Sequence, residues 1–138
     1  MHETPSASDI WVRWPRLLWG LPNTLVGLAF AALSLAGPRY RHGLLVVESN
    51  RGLARLFLSR RGYSAITLGR VIISTNPLLP PVWVHELEHV AQSERWGPLF
   101  LPVYLFRHLR FGYQRNPFEL EAQARADAYQ AAHLPTPN

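Results

Sequence analysis

The apolar and polar positions divide this chain into three stretches with different periodicities. The first, residues 17–38, contains no charged side chain. The second, residues 43–80, has short aliphatic runs separated by turn residues, and the third, residues 81–133, has apolar positions at helical spacing. These patterns predict an α+β fold with an N-terminal apolar helix, a small antiparallel sheet and then C-terminal helices.

The uncharged stretch has about the length that a bilayer core of roughly 30 Å requires. Arg13 and Arg16 precede it, and Arg39 and Arg41 follow it, as basic residues flank a membrane helix. The stretch therefore predicts a helix that spans a membrane or lies on it. With further arginines following closely, the positive-inside bias predicts that the rest of the chain is cytoplasmic.

Two other interpretations of this stretch remain open. Pro22 and Asn23 could begin a shorter helix that is buried in a soluble cytoplasmic domain. The small residues at positions 34–36 are also typical of a signal-peptide cleavage site. Before the stretch, residues 1–16 form a polar and then basic leader, of which the first ten are predicted to be disordered.

Three aliphatic runs in the second stretch predict three strands. They cover residues 44–48, 54–59 and 65–75, and the segments Asn-Arg-Gly and Arg-Arg-Gly between them are turn signals. Prolines at 77, 80 and 81 then end the last strand and allow a helix to begin.

The third stretch predicts three helices, which belong with the strands to one domain of residues 43–133. The first covers residues 81–96 and stops at Gly97, and an apolar segment follows at residues 99–111. The last helix begins at Asn116, a capping residue with proline in the next position, and continues through an alanine-rich segment.

Length and composition limit the chemistry. At 138 residues, the chain forms a single domain, so an active site must come from a few adjacent elements. There is no cysteine, which excludes disulfides, thiolate zinc sites and cysteine nucleophiles. Histidine and carboxylate side chains are the strong metal ligands that remain.

The net charge is +5, and all fourteen basic residues are arginine. Anionic partners such as phospholipid head groups suit this charge. The arginines form no dense tract, and no aromatic and basic pattern resembles a nucleic-acid module. We therefore predict no nucleic-acid partner.

The segment HELEH carries the most specific chemical signal. His85 and His89 are four residues apart on a predicted helix, so both imidazoles lie on one face and can reach one zinc ion. Glu86 lies beside them, where it could take a proton from a water molecule that the zinc acidifies. The competing interpretation is a pair of hydrogen-bonded core histidines and a solvated Glu86. Glu88 is interpreted as an outer or surface carboxylate.

A catalytic zinc site needs a third protein ligand. The segment after His89 offers the following candidates: Glu94, His108, Glu119, Glu121, Asp127 and His133. Glu94 is too close along the same helix to fold back onto the ion, and His108 lies among arginines, which is typical of a surface or partly packed histidine.

Glu119 and Glu121 are about 200° apart around a helix, so only one of them can face the metal. Glu121 has favourable spacing for an exposed salt bridge with Arg125. Glu119 shares a face with Ala122 and Ala126, whose small side chains allow a close approach of the HELEH helix. We therefore favour Glu119, although it could instead close a capping box with Asn116.

HELEH, followed some thirty residues later by a helix with the sequence Glu-Leu-Glu-Ala at 119–122, resembles the gluzincin branch of zinc metallopeptidases. The similarity is greatest to compact gluzincins and looser to integral-membrane zinc peptidases of the heat-shock type. In that membrane group an aspartate stands where this chain has Gln123.

The resemblance covers about residues 65–130. It implies a zinc cofactor, a peptide or protein substrate that lies antiparallel to the strand at 65–75, and a proton donor that stabilises the oxyanion. Tyr113 and Tyr104 are the candidates for that donor.

Two functions follow from these patterns. The first is a zinc-dependent peptidase with Glu86 as general base, associated with a membrane through residues 17–36. The second is a catalytically silent protein that binds a metal or interacts at a membrane on a zincin-like scaffold.

Overall fold

The computed structural model describes residues 7–133 as helices and strands arranged around a small sheet. In chain order these elements are α1 Ala7–Leu33, β1 Arg39–Arg41, β2 Leu44–Glu48, α2 Gly52–Phe57, β3 Ala65–Leu68, β4 Val71–Ser74, α3 Pro80–Trp96, α4 Phe100–Phe111 and α5 Pro117–His133. The predicted α+β class is confirmed. Of the ten residues predicted to be disordered, 1–6 lie outside the described residues, but 7–10 belong to α1. The predicted division between a leader at 1–16 and an apolar helix at 17–38 is wrong, because one helix runs through both and ends at Leu33.

The sheet has four strands in the order β1-β2-β4-β3. Its two outer pairs, β1 with β2 and β3 with β4, are antiparallel hairpins, but the central pair β2 and β4 runs parallel. The prediction of three antiparallel strands is therefore wrong in strand number and in the direction of the central pair. The reason is the crossover through α2 and β3, which brings β4 back beside β2 in the same direction.

The predicted strand at 54–59 is helical, because α2 and a following 3₁₀ turn occupy it. Ala54 and Leu58, four residues apart, are the buried positions of this segment. That spacing is helical, so the apolar run has one buried helix face rather than the alternating faces of a strand.

The predicted strand at 65–75 is two strands joined by a tight turn. Gly69 has a φ of +63°, and Arg70 completes the two-residue connection between β3 and β4. The first hairpin was not predicted at all: His42 and Gly43 both have positive φ, as a two-residue turn of type I′ requires.

Helices cover both faces of the sheet. Val71 and Ile73 of β4 belong to a core cluster with Ala31 of α1 and with Ala54 and Leu58. Ile72 points the other way and packs with Val90 of α3. Because alternate side chains of β4 are buried on opposite faces, this strand forms the centre of the domain.

The predicted C-terminal helices are all present. α3 begins one residue earlier than predicted and ends at Trp96, and α4 covers most of the apolar segment. Asn116 caps α5, because its Oδ1 accepts a hydrogen bond of 3.0 Å from the Phe118 backbone nitrogen. The cap fixes where α5 begins and therefore which of its side chains face α3.

α1 packs on the sheet and on the turn after α3. The side-chain nitrogen of Asn23 donates to the Gly97 carbonyl over 2.8 Å, and a side chain at Gly27 would collide with the Leu68 carbonyl. Within residues 7–133, no helix combines the length and apolar character needed to cross a bilayer. The spanning interpretation of residues 17–38 is thus not supported.

Candidate metal centre

Two helices from different parts of the chain bring the candidate ligands together. His85 and His89 lie on successive turns of α3, and Glu119 lies in the first turn of α5. The two helices pack closely along each other. Ala122 and Ala126, both buried, form the contact surface of α5 one and two turns after Glu119, as their small size predicts.

The ligand atoms form a compact triangle. The Glu119 carboxylate lies 3.0 Å from Nε2 of His85 and 3.1 Å from Nε2 of His89, and the two nitrogens are 3.2 Å apart. Two ligands at zinc-bond distance from one tetrahedral ion are about 3.3 Å apart. The three residues therefore fit a metal ion with little rearrangement, and they are the group of potential ligands in the described part of the chain.

Glu119 does not close the capping box. Its Oε1 accepts a hydrogen bond of 2.6 Å from the Tyr104 hydroxyl, while the backbone nitrogen of Asn116 donates to Tyr113 instead. The side chain is buried, so its carboxylate faces the two histidines and not solvent. The capping interpretation of Glu119 is wrong because the side chain turns towards α3.

The charges in this triangle stabilise each other. Burial raises the pKa of Glu119, but hydrogen bonds from His85, His89 and Tyr104 outweigh it and hold the pKa well below its usual range. Burial lowers the pKa of His89, but the hydrogen bond and negative charge of Glu119 outweigh it and raise the pKa to about 9. In the metal-free protein near neutral pH, His89 is therefore protonated, and its positive charge stabilises the Glu119 carboxylate in the absence of a metal ion.

Glu86 is buried next to the histidines, so the interpretation in which it is solvated is wrong. Its Oε2 accepts a hydrogen bond from the hydroxyl of Thr67, a buried residue of β3. Burial raises the pKa of Glu86, against the lowering effects of His89, Thr67 and His85. A carboxylate with a raised pKa beside a metal position is suited to accept and return a proton.

Gln92 holds the outer side of His89. Its amide nitrogen donates to the Phe118 carbonyl and to the Glu121 carboxylate, both of which only accept, so its amide oxygen faces Nδ1 of His89 at 2.8 Å. Nδ1 must then carry the hydrogen, which leaves Nε2 to bind a metal. Gln92 is fully buried and links α3 to the start of α5.

The outer carboxylates form a separate ion-pair network. Arg95 contacts Glu88 over 3.0 Å and Glu121 over 3.1 Å, whereas Arg125 contacts Glu88 over 3.6 Å. The predicted pair of Glu121 with Arg125 is wrong, because α3 supplies a closer arginine. Glu88 is buried at the junction of the two helices and lies outside the metal triangle.

An open pocket lies beside the triangle, with a volume of about 530 Å³ counting the space open to solvent. It is lined by β3 and the residue before it, by α3, α5 and Tyr113: Ser64, Ala65, Pro81, Val82, His85, Glu86, Tyr113, Gln123, Ala126 and Gln130. Tyr113 thus lines the pocket and also interacts with Glu119, while Tyr104 donates a hydrogen bond to Glu119 and is not part of the pocket lining. The two tyrosines, which the sequence did not separate, occupy different positions.

His108 lies behind the site. Its ring stacks on Tyr104 with 6.3 Å between centroids, and its Nδ1 is buried without a hydrogen-bond partner among the described residues. The other candidate ligands lie elsewhere: Glu94 pairs with Arg70, Asp127 with Gln123, and His133 with the Tyr129 carbonyl.

Thr67 and Gln92 are site residues that the sequence pattern did not predict. Gln92 follows His89 by three residues, so helical spacing could have indicated that they share a face. No sequence pattern indicates Thr67, because its contact with Glu86 depends on how β3 packs against α3. Comparison with protein-family models, curated proteins and solved structures finds no match for the chain.

Proposed function

We propose that the chain is a zinc-dependent peptidase. The observation that carries this proposal is the triangle of His85, His89 and Glu119 beside the buried carboxylate of Glu86. Two histidines, one carboxylate and a neighbouring general base are the donor set of a hydrolytic zinc site with one open position. The resemblance of HELEH and the 119–122 segment to gluzincins agrees with this donor set.

Zinc in this triangle would acidify a water molecule and polarise the substrate carbonyl. Glu86 accepts a proton from the attacking water as the new carbon–oxygen bond forms. The carbon–nitrogen bond of the peptide then breaks, and Glu86 passes the proton to the leaving nitrogen. Thr67 holds the Glu86 carboxylate in place through its hydrogen bond, so the base keeps its position through both transfers.

The substrate proposed for this site is an extended peptide. β3 is one of the two edge strands of the sheet, and Ser64 and Ala65 line the pocket at its beginning. A peptide added alongside β3 would gain main-chain hydrogen bonds while its scissile bond lies against the pocket. Tyr113 lines the same pocket and is the proposed donor to the oxyanion that develops on the carbonyl.

We locate this reaction at the cytoplasmic face of a membrane. The net charge of +5 suits the anionic lipids of that leaflet, and the carboxylates of the described chain concentrate in α3 and α5, around the site. The alternative is that the protein is cytoplasmic and does not bind a membrane.

Peptide cleavage by purified full-length protein tests the function. A library of unstructured peptides, incubated with zinc-loaded wild type and analysed by mass spectrometry, should show cleavage that a zinc chelator abolishes. Glu86→Gln should keep bound zinc and lose cleavage by at least about a hundredfold. Glu94→Gln changes a carboxylate of the same helix that pairs with Arg70, and this control should cleave normally.

Zinc bound without cleavage of any peptide would overturn the peptidase proposal and favour the silent metal-binding scaffold. Equal cleavage by wild type and Glu86→Gln would also overturn it, because the general base would then lie elsewhere.

A further inference from the structure

α1 packs on the domain through its small and polar residues. The buried positions recur every three or four residues along one side of the helix: Gly20, Asn23, Gly27, Ala31 and Ser34. Glycine is needed at position 27, because a side chain there would meet the Leu68 carbonyl at 2.5 Å. The inner face of α1 therefore allows a close approach to the domain but contributes few large apolar side chains to its core.

The large apolar residues of α1 lie on its outer side. Leu18 is 62% exposed and Leu25 is 55% exposed, and the outward set comprises Leu18, Leu21, Leu25, Val26, Leu28 and Leu33. A surface helix in water has the opposite arrangement, with large apolar side chains towards the core. Small residues towards protein and large apolar residues outward are typical of a helix that contacts lipid.

α4 exposes a second apolar row. Leu105 is 57% exposed, Phe106 is 64% exposed and Leu109 is 84% exposed, and helical spacing places them on one side. The opposite side of α4 carries the buried Phe100 and the site residue Tyr104. One face of this helix therefore supports the metal triangle while the other presents apolar side chains to the exterior.

α1 contacts Gly97, which lies in the turn just before α4. Trp19 of α1 lies so close to Gly97 that a side chain there would overlap the indole ring, and Asn23 bonds to the Gly97 carbonyl. We call the outward apolar residues of α1 and the three of α4 the apolar face. Scattered exposed leucines are ordinary, but rows of large exposed apolar side chains on two neighbouring helices mark an interaction site.

Among aspartate, glutamate, lysine and arginine, only arginine occurs from residue 10 to the end of α2 and in α4, apart from Glu48. The chain carries no carboxylate between Asp9 and Glu48, and neither α2 nor α4 contains one. Exposed arginines follow α1 or lie on α2 and α4, and among the described residues they form no ion pair: Arg39, Arg51, Arg55 and Arg110. The ion-paired carboxylates Glu88, Glu94 and Glu121 lie on α3 and α5.

We propose that the apolar face docks on an anionic lipid surface. Leucine and phenylalanine side chains enter the boundary between head groups and acyl chains, and the unpaired arginines contact lipid phosphates. A second copy of the chain fits less well, because a symmetric contact would bring like charges together. The proposal concerns a different surface from the proposed peptidase site and holds whether or not that site cleaves peptides.

Vesicle sedimentation of the full-length protein without added zinc tests the proposal. Wild type should pellet with vesicles of phosphatidylcholine containing about one quarter phosphatidylglycerol, and much less with phosphatidylcholine alone. Leu109→Asp and Leu25→Asp should each lower the partition coefficient about tenfold. Leu120→Asp is the matched control: Leu120 is a leucine of α5 with 55% exposure, and the variant should bind like wild type.

Three results would overturn the proposal: wild type that fails to bind the anionic vesicles, binding that Leu109→Asp and Leu25→Asp leave intact, or equal loss in Leu120→Asp. A concentration-dependent dimer that Leu109→Asp dissociates would assign the face to a second copy instead. If an aspartate variant fails to fold, the salt dependence of vesicle binding by the wild type tests the proposal instead. About 0.5 M salt should weaken binding to anionic vesicles severalfold. Salt-independent binding would contradict the arginine contribution.

Discussion

The amide oxygen of Gln92 lies 2.8 Å from Nδ1 of His89 and fixes the hydrogen on that nitrogen. The same amide donates to the Phe118 carbonyl, one residue before the candidate ligand Glu119. One buried side chain therefore orients a ligand on α3 and holds the backbone beside a ligand on α5. We therefore expect the triangle to depend on Gln92, although Gln92 is not one of the three candidate ligands.

Gln92→Met should weaken zinc binding about ten- to a hundredfold, which is the usual effect of removing a group that orients a metal-bound histidine. The methionine side chain has a volume similar to that of glutamine, but its thioether sulfur is only a weak acceptor for the hydrogen on Nδ1. Competition with a chromophoric chelator measures the affinity, and long-range proton–nitrogen NMR of the imidazoles reports whether the hydrogen still resides on Nδ1.

Glu121→Ala is the control for this variant, because it removes a second acceptor of the Gln92 amide but leaves the bond to His89. Its side chain is partly exposed and pairs with Arg95, so the free energy of unfolding should change by less than about 1 kcal/mol. Zinc affinity should stay near wild type. Loss of zinc in Glu121→Ala, with Glu119→Ala unaffected, would reverse the choice between the two glutamates.

Replacing Tyr113 and replacing Tyr104 should have different effects on turnover and on zinc binding. Tyr113→Phe should lower kcat about a hundredfold or more, because it removes a proposed donor to the oxyanion, and it should weaken zinc binding less than Tyr104→Phe does. Tyr104→Phe should instead weaken zinc binding severalfold, since it removes the hydrogen bond that holds Glu119. Steady-state kinetics and zinc titration of both variants distinguish these roles. The opposite pattern would exchange the assignments.

The stability of the metal-free protein should fall as pH rises from about 6.5 to about 9. The folded-state pKa of His89, about 9, is above its usual value of 6.5, so its protonated form stabilises the fold fully below 6.5 and loses that effect as pH rises through 9. The lowered pKa of Glu119 acts in the other direction: its contribution is present above about 4.5 and is lost in acid.

Melting temperatures of the metal-free protein across this pH range measure the effect. Saturating zinc should remove the decline, because zinc replaces the proton and binds more tightly as pH rises. Glu119→Gln, which lacks the charge that raises the pKa of His89, should show a smaller decline. A metal-free melting temperature that is constant or rises between pH 6.5 and 9 would contradict the ion pair.

The features that the sequence predicted correctly depend on local signals. The spacing of His85 and His89 follows from helix geometry alone, and Asn116 with the next proline defines where α5 begins. Helical geometry shows that only one of Glu119 and Glu121 can face α3, and the structure places Glu119 there. The alanines after Glu119 indicate the face that meets α3.

The features that the sequence predicted wrongly depend on tertiary contacts. Residues 54–59 have a short apolar run that suits a strand or a helix equally, and packing of Ala54 and Leu58 against α1 and the sheet decides it. The pairing of Arg95 with Glu121 joins residues twenty-six positions apart. Thr67 reaches Glu86 only because β3 occupies the sheet edge next to α3. The spacing of these residues along the sequence does not predict these tertiary contacts.

Zinc content is the measurement that tests the central claim most directly. Wild-type protein, loaded with zinc and freed of excess by gel filtration, should contain about one zinc per chain, whereas His85→Ala and Glu119→Ala should contain almost none. Glu86→Gln should retain the metal, since Glu86 is the base and does not belong to the triangle. Wild-type protein that holds no zinc, or Glu119→Ala that holds as much as wild type, would contradict the site described by His85, His89 and Glu119.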